Sequence, residues 1–592
     1  MYPLRVNKTP SESERIDKIK SLIEQVYTDM PAAEVDELLK TTCDIAKATE
    51  VPTSAQSNDG TVWSEKDLLL ITYGDSIRDD GSDTAPIEVL DSFLSVRALK
   101  ALSGVHILPC FPYSSDDGFS VIDYKTIDPD LGDWSHVSKL GDNFDMMFDL
   151  VMNHISAHSE WFKQYKAGEA PGKDYFVEVD GDADVSSVVR PRSHDLRVPV
   201  ETPDGTKHVW ATFSDDQIDL NFENPDVLVE FLKIIALYLS KGATFMRLDA
   251  IGFLWKVLGT PSIHLPETHA LVKLVREFSM MINPAIKIVT ETNVPAKENM
   301  SYFGDGDEAH MVYNFSLAPL VLQALMTGDT SKLVGWMQET PSAPPGCTYF
   351  NFTASHDGIG LRPTEGILSD DERNQMLDAV KSFGGQVSMK ANSDGTESPY
   401  EMNIALYDAM SGKIDGVPDE YQFERFICSQ TVMLSVKGIP GMYVHSLLGT
   451  RNYTEGLAET GRARTINRRK WQVGELEALL DDPTSHHHKV FNELTRRMAI
   501  RRSQAAFSPD AAQKTLDCGE GIFAYYRAAA DESQQIICIN NFKDTEVEFD
   551  ATGTCAGVGA TSSYGKDLIT GVDIDLAKVT LAPYQSVWVE LS

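Results

Sequence analysis

The chain has 592 residues, 42% hydrophobic and 9% aromatic, an ordinary globular composition with material for two to four domains. Asp and Glu outnumber Lys and Arg by 88 to 52, a formal charge of −36, which argues against a nucleic-acid partner or an anionic membrane surface, since both need a basic face. Seven Cys without C-x-x-C spacing signal neither a zinc site nor a disulfide framework, no run of about 18 apolar residues could span a bilayer, and a reducing, cytoplasmic setting is expected.

Residues 1–62 read as a helical N-terminal extension. Ile16, Ile19, Ile23 and Val26 recur at three- and four-residue steps, as do Val35, Leu38, Leu39, Thr42 and Ile45, with Pro31 between the two patterns. The first twenty residues lack the apolar stretch of a signal peptide, and "SAQSNDGT" reads as a linker. Eight short apolar runs follow: "DLLLITYGD", "GVHILPCF", "FDMMFDLVMNH", "ATFMRLDAIGF", "IKIVTETN", "HMVYNFS", "TYFNFTASHD" and "GIPGMYVHS". Most precede a stretch long enough for a helix. This βα rhythm predicts an α/β fold, a closed (β/α)8 TIM barrel over 63–155 and 213–510, although the spacing alone also fits an open sheet. Two gaps exceed one helix: 156–212, an inserted loop domain B, and 384–412, an insertion after strand seven. Both would lie over the barrel mouth. Residues 511–592 alternate as strands do and predict a C-terminal antiparallel β domain. "SHHHK", with His486 to His488, reads as a solvated loop rather than a metal site.

In "GATFMRLDAIGF", Arg247 and Asp249 stand two apart on a strand and so face the same side. The guanidinium would favour and orient an ionised carboxylate. A structural ion pair sealing the barrel explains this segment equally well. Other strands end in a similar way. "IVTETN" places Glu291 at the end of strand five, "TASHDGIG" places His356 and Asp357 at strand seven, "DLVMNHIS" places Asn153 and His154 at strand three, and "PYSSDDGFSVIDY" places Asp116 and Asp117 after strand two. Barrel enzymes draw their catalytic groups from such strand ends. Carboxylates converging on one mouth are costly for structure alone. They suit glycoside chemistry, in which one attacks the anomeric carbon and another serves as acid and then base. Retention would require the two to lie about 5–5.5 Å apart.

The ordered blocks "DLVMNH", "MRLDAIGF", "TETN" and "ASHDGIG" resemble the four motifs of the α-amylase superfamily of retaining glycosidases. Within it, "GVHILPCFPYSSDDGFSVIDY" and "SHDGIG" are similar to the sucrose phosphorylase subfamily. The resemblance implies that Asp249 is the nucleophile, oriented by Arg247, that Glu291 is the general acid/base, and that Asp357, helped by His356, stabilises the transition state. It implies that Asp116 and His154 grip the far glucose hydroxyls, that Phe213 faces the oxocarbenium ion, that Gln217 donates toward the acceptor, and that Arg464 receives phosphate. Arg190, Arg192, Gln386 and Arg462 are acceptor-site candidates. No metal and no cofactor are implied.

The N-terminal extension, "FLWKVLGTPSIHLPETH" and "NSDGTESPYEMN" are similar to glucosylglycerate phosphorylases. Gln386 stands where members acting on sucrose 6-phosphate often carry His, and Phe253 where sucrose phosphorylases tend to carry Tyr. The resemblance implies reversible phosphorolysis of a small α-glucoside, 2-O-α-glucosylglycerate favoured, by inorganic phosphate through a covalent glucosyl-enzyme. Sucrose or sucrose 6-phosphate phosphorolysis, a hydrolase or transglucosylase, and a catalytically dead scaffold are the alternatives, and a homodimer is compatible with it.

Overall fold

The computed structural model describes residues 11–56, 62–192, 194–391, 396–559 and 563–591. Most of the expected linker, residues 57–61, and the Asn392–Gly395 part of "NSDGTESPYEMN" lie outside the described residues.

The eight apolar runs are the eight strands of one closed parallel barrel. These are β1 (Leu69–Thr72), β2 (Gly104–Ile107), β3 (Asp145–Val151), β4 (Ala243–Asp249), β5 (Lys287–Thr290), β6 (Met311–Tyr313), β7 (Thr348–Asn351) and β8 (Ile439–Tyr443). Closure comes from β1, which pairs with both β2 and β8. The strands are buried along almost their whole length, because helices cover the outside and side chains fill the inside. That explains why they read as continuous apolar runs rather than alternating ones.

The N-terminal extension is a helical hairpin, α1 (Glu12–Val26) and α2 (Ala32–Ala48). Ser11 opens α1 with a capping box to Glu14, and Pro31 sits at the start of α2. α1 lies against the barrel helix Pro266–Ile282 and α2 against Pro225–Ser240. Ile19 and Ile23 are fully buried in that contact. Arg15, also buried, pairs with Glu277 of the barrel helix, and Lys18 reaches the same carboxylate at 2.9 Å. Tyr27 donates to the Phe222 carbonyl at 3.0 Å.

Between β3 and β4 the chain forms the short strand His154–Ser156, the helix Glu160–Ala167 and the hairpin Arg197–Thr202 with Gly205–Trp210. It then returns as Gln217–Asp219, which pairs antiparallel with His154–Ser156. After β7, strands Ile359–Gly360, Glu397–Asn403 and Gln386–Ala391 form a three-stranded sheet in that spatial order. The C-terminal region is a six-stranded antiparallel sheet. It is fastened to the barrel by the buried Arg527, which donates to the Ser435 carbonyl, and by Tyr525, whose hydroxyl lies 2.6 Å from the Ser435 hydroxyl.

The three histidines at 486–488 do not form a solvated loop. Ser485 caps a helix, His486–Arg501, by accepting from the His487 N–H. Each histidine then meets a backbone carbonyl, His486 that of Gly449, His487 that of Leu448 and His488 that of Leu480. A serine cap followed by an amphipathic stretch outweighs the polarity of the run. All seven cysteines are free. No helix among the described residues is long and apolar enough to cross a membrane.

Candidate active site

The chemistry starts inside the barrel. Asp149 on β3 and Arg247 on β4 are register partners, and both point inward. Arg247 is 1% exposed and binds Asp149 directly, while His106 on β2 holds the other Asp149 oxygen at 2.7 Å. Burial opposes the Asp149 charge, but Arg247 and His106 outweigh it and hold the carboxyl below its ordinary range. Two residues further up β4, Asp249 receives a second hydrogen bond from the same Arg247 nitrogen, at 2.7 Å. The other terminal nitrogen lies 3.8 Å from Glu291, one residue past β5. One guanidinium therefore serves three carboxylates on neighbouring strands.

The backbone turns sharply above Asp249. Ala250 adopts φ 47°, in the left-handed region, and its N–H donates to the Glu291 carboxylate at 3.1 Å. Asp357 stands six residues beyond the end of β7, on the loop before Ile359–Gly360 rather than on the strand itself. It is bound by Arg464 at 2.6 Å, with Arg468 at 3.8 Å. Arg464 is also locked in a two-pronged pair with the buried Glu401 of Glu397–Asn403, at 2.9 and 3.0 Å.

These groups ring one cavity. Its walls bring together the expected residues Asp116, His154, Arg192, Phe213, Gln217, Asp249, Glu291, His356, Asp357 and Arg464. Phe213 stands edge-on to Phe253, with ring centres 5.4 Å apart, and tilts over His154. His356 stacks on Phe119 at 4.9 Å. His154 sits within bonding distance of the Phe119 carbonyl, at 3.0 Å, and of Gln217, at 3.2 Å. Asp116 and Asp117 both have positive φ, 53° and 49°, in a turn closed by Gly118, where a Cβ would meet the Pro109 carbonyl at 2.6 Å. That turn sends the two acids apart. Asp116 faces the cavity, whereas Asp117 pairs with Arg468 and lines a neighbouring cavity.

Four expected residues lie elsewhere. Arg247 is beneath the cavity floor. Arg462 lines the neighbouring cavity beside Arg468 and Arg469. Gln386 is exposed, at the start of its strand opposite Asn403, and Arg190 is absent from the cavity wall.

Charge is distributed unevenly over the floor. Burial drives both Asp249 and Glu291 above the ordinary carboxylate range. Arg247 opposes this in both, while Glu291 adds to the rise in Asp249 and Asp357 to that in Glu291. Asp357 goes the other way: burial is more than offset by Arg464, Arg468 and Arg247. Burial, with Arg468 and Arg247 nearby, holds His356 neutral. The arrangement can thus present an anionic Asp357 beside a carboxyl pair that keeps a proton.

Sequence reasoning missed Asp149, Glu401, Arg362, Asn293 and Tyr400. Asp149 carried a usable signal, since it opens the "DLVMNH" block on a strand. Glu401 carried none, because its partner lies 63 residues away. Among the described residues no group of His, Cys, Asp or Glu has the arrangement of a metal site.

The family described as Alpha amylase, catalytic domain matches residues 98–353. The chain is 41% identical to the glucosylglycerate phosphorylase of Spirochaeta thermophila over 97% of its own length and 98% of the relative's. It is also 41% identical to that of Escherichia coli, over 89% and 92%. In fold it is similar to the crystal structure of sucrose 6F-phosphate phosphorylase from Thermoanaerobacter thermosaccharolyticum. The TM-score is 0.70 at 22% identity, covering 82% of this chain and 96% of that one.

Proposed function

The chain belongs to the α-amylase family, as one of its glucoside phosphorylases, and we propose that its substrate is 2-O-α-glucosylglycerate, cleaved by phosphate to α-glucose 1-phosphate and glycerate. The observation that carries the mechanism is the convergence of Asp249, Glu291 and Asp357 on one cavity, with Arg247 bound to Asp249.

In the first half-reaction Asp249 attacks the anomeric carbon from the β face. The bond to the bridging oxygen breaks, and Glu291 gives that oxygen its proton, releasing glycerate. The shared proton belongs on Glu291, because Arg247 touches Asp249 directly at 2.7 Å and Glu291 only at 3.8 Å. Asp357, kept anionic by Arg464 and Arg468, binds sugar hydroxyls and stabilises the positive charge that grows on the ring. Phe213 faces the same charge with its ring. Asp116 and His154 hold the far side of the glucose.

In the second half-reaction a phosphate oxygen attacks the anomeric carbon of the glucosyl ester and the ester bond to Asp249 breaks. Glu291 takes a proton from the incoming acceptor if it carries one there. Two inversions give overall retention. Arg464 acts on this chemistry by placing Asp357, since three of its N–H groups are committed to Asp357 and Glu401.

The test is synthesis. α-Glucose 1-phosphate is incubated with glycerate, glycerol, fructose and fructose 6-phosphate, and phosphate release is measured. Glycerate should be glucosylated well ahead of the others. Free glucose formed at the same rate with and without phosphate would show a hydrolase and sink the reading.

A further inference from the structure

We propose that Arg362, acting with Arg192, forms the subsite that holds the anionic group of whichever acceptor meets the glucosyl-enzyme, phosphate in one direction and the glycerate carboxylate in the other. The carboxylate half of this proposal rests on the substrate reading above. The phosphate half does not.

The two arginines reach the cavity from different loops. Arg192 comes from the segment between β3 and β4. Arg362 comes from a short turn, Arg362–Thr364, behind Ile359–Gly360. Both line the cavity wall. Unlike Arg464, neither is spent on a strong pair among the described residues. The Arg362 Nε is buried without a hydrogen-bond partner among the described residues, and its nearest carboxylate, Glu365, is 4.0 Å away. Arg192 has no ion pair among the described residues, and its guanidinium lies 5.7 Å above the Tyr400 ring. Lys390 is close enough for the Arg362 charge, after burial, to depress its ammonium, and it is 3.9 Å from the same Glu365. Two cations, Arg362 and Lys390, thus share one rim carboxylate at about 4 Å, and a buried guanidinium donor is left unmatched among the described residues. A planar fork of this kind binds carboxylate and phosphate alike.

The same wall supplies what the rest of a hydroxy acid needs. Asn293 donates to the Tyr400 hydroxyl at 3.3 Å, while its own carbonyl oxygen is buried and free of hydrogen bonds among the described residues. Gly360 lets that amide approach: a Cβ there would lie 2.9 Å from the Asn293 oxygen. An unpaired acceptor and an unpaired guanidinium donor carried by residues of one cavity wall match a carboxylate with neighbouring hydroxyls. Phosphate and glycerate never need the subsite together, because one leaves before the other attacks.

The test uses α-glucosyl fluoride as donor, whose leaving group is too small to reach the rim, so the glucosyl-enzyme forms without this subsite. Transfer to phosphate, glycerate, glycerol and water is then measured. Arg362→Ala should raise KM for phosphate and for glycerate by about tenfold or more, with glycerol and water little changed, and Arg362→Lys should recover part of the loss. Equal losses on neutral and anionic acceptors, or no loss on either anion, would overturn the proposal. If phosphate shows the loss while the unaltered enzyme transfers nothing to glycerate, the anion subsite stands and the glucosylglycerate reading falls.

Discussion

The floor and the rim of the cavity are built in opposite ways. On the floor, Asp249 and Arg247 sit on barrel strands and Glu291 one residue past another, each side chain fixed by a hydrogen bond to its own or the neighbouring strand end. At the rim, Arg192 and Arg362 come from long excursions after β3 and β7 and keep donors unspent. The difference separates two tasks. Bond making and breaking needs groups held to a fraction of an ångström, whereas an acceptor site that must take two different anions in turn needs charge without a committed partner.

The floor should break first and hardest. Asp249→Ala removes the proposed attacking group and should lower kcat for phosphorolysis by on the order of 10⁴-fold or more, with the fold intact by circular dichroism. Glu291→Gln should cost roughly 10²–10⁴-fold on glucosylglycerate but far less on α-glucosyl fluoride, whose leaving group needs no proton. The same variant sharpens the electrostatic picture. Because Glu291 must be protonated in the proposed first step and its pKa is raised, activity of the unaltered enzyme should persist to higher pH than an ordinary carboxyl allows and fall as pH rises through that raised value. In Glu291→Gln this alkaline limb should vanish from the pH profile of the residual activity.

Glu401→Gln probes the seam between the two regions. It loosens Arg464 and, through it, Asp357. A loss of about ten- to hundredfold in kcat/KM is expected, seen for every acceptor alike. Arg192→Ala belongs to the rim alone and should be the mildest. It should raise KM for phosphate about tenfold while kcat on α-glucosyl fluoride hydrolysis stays near that of the parent. A rim change that lowered kcat on neutral acceptors as much as a floor change would erase the distinction.

The same division decides what could be read from residues alone. All eight strands were legible, because a strand buried on both faces leaves an unbroken apolar run and most were followed by room for a helix. The floor was legible for a related reason: a charge inside such a run has few explanations, and strand parity puts Arg247 and Asp249 on one side. The rim was not. Arg362 looks like any loop arginine until the turn behind Gly360 aims it inward, and Glu401 acquires meaning only by meeting Arg464 from another loop. Gln386 shows the converse limit: a position matched by motif alone does not say whether its side chain reaches the cavity, and Gln386 is exposed away from the cavity wall. Arg15 is similar: its helical pattern predicted the buried Ile19 and Ile23, but the partner Glu277 lies 262 residues away.

One guanidinium wedged among Asp149, Asp249 and Glu291 also acts as a clock for the proposed double displacement. When the sugar becomes esterified to Asp249, that oxygen loses its negative charge and Arg247 loses one of its counterions. Its field then falls more fully on Glu291, which has also lost a repelling neighbour, so the same carboxyl grips a proton less tightly after the first step than before it. In the proposed mechanism, the residue two places behind the nucleophile thereby sets when an acid turns into a base.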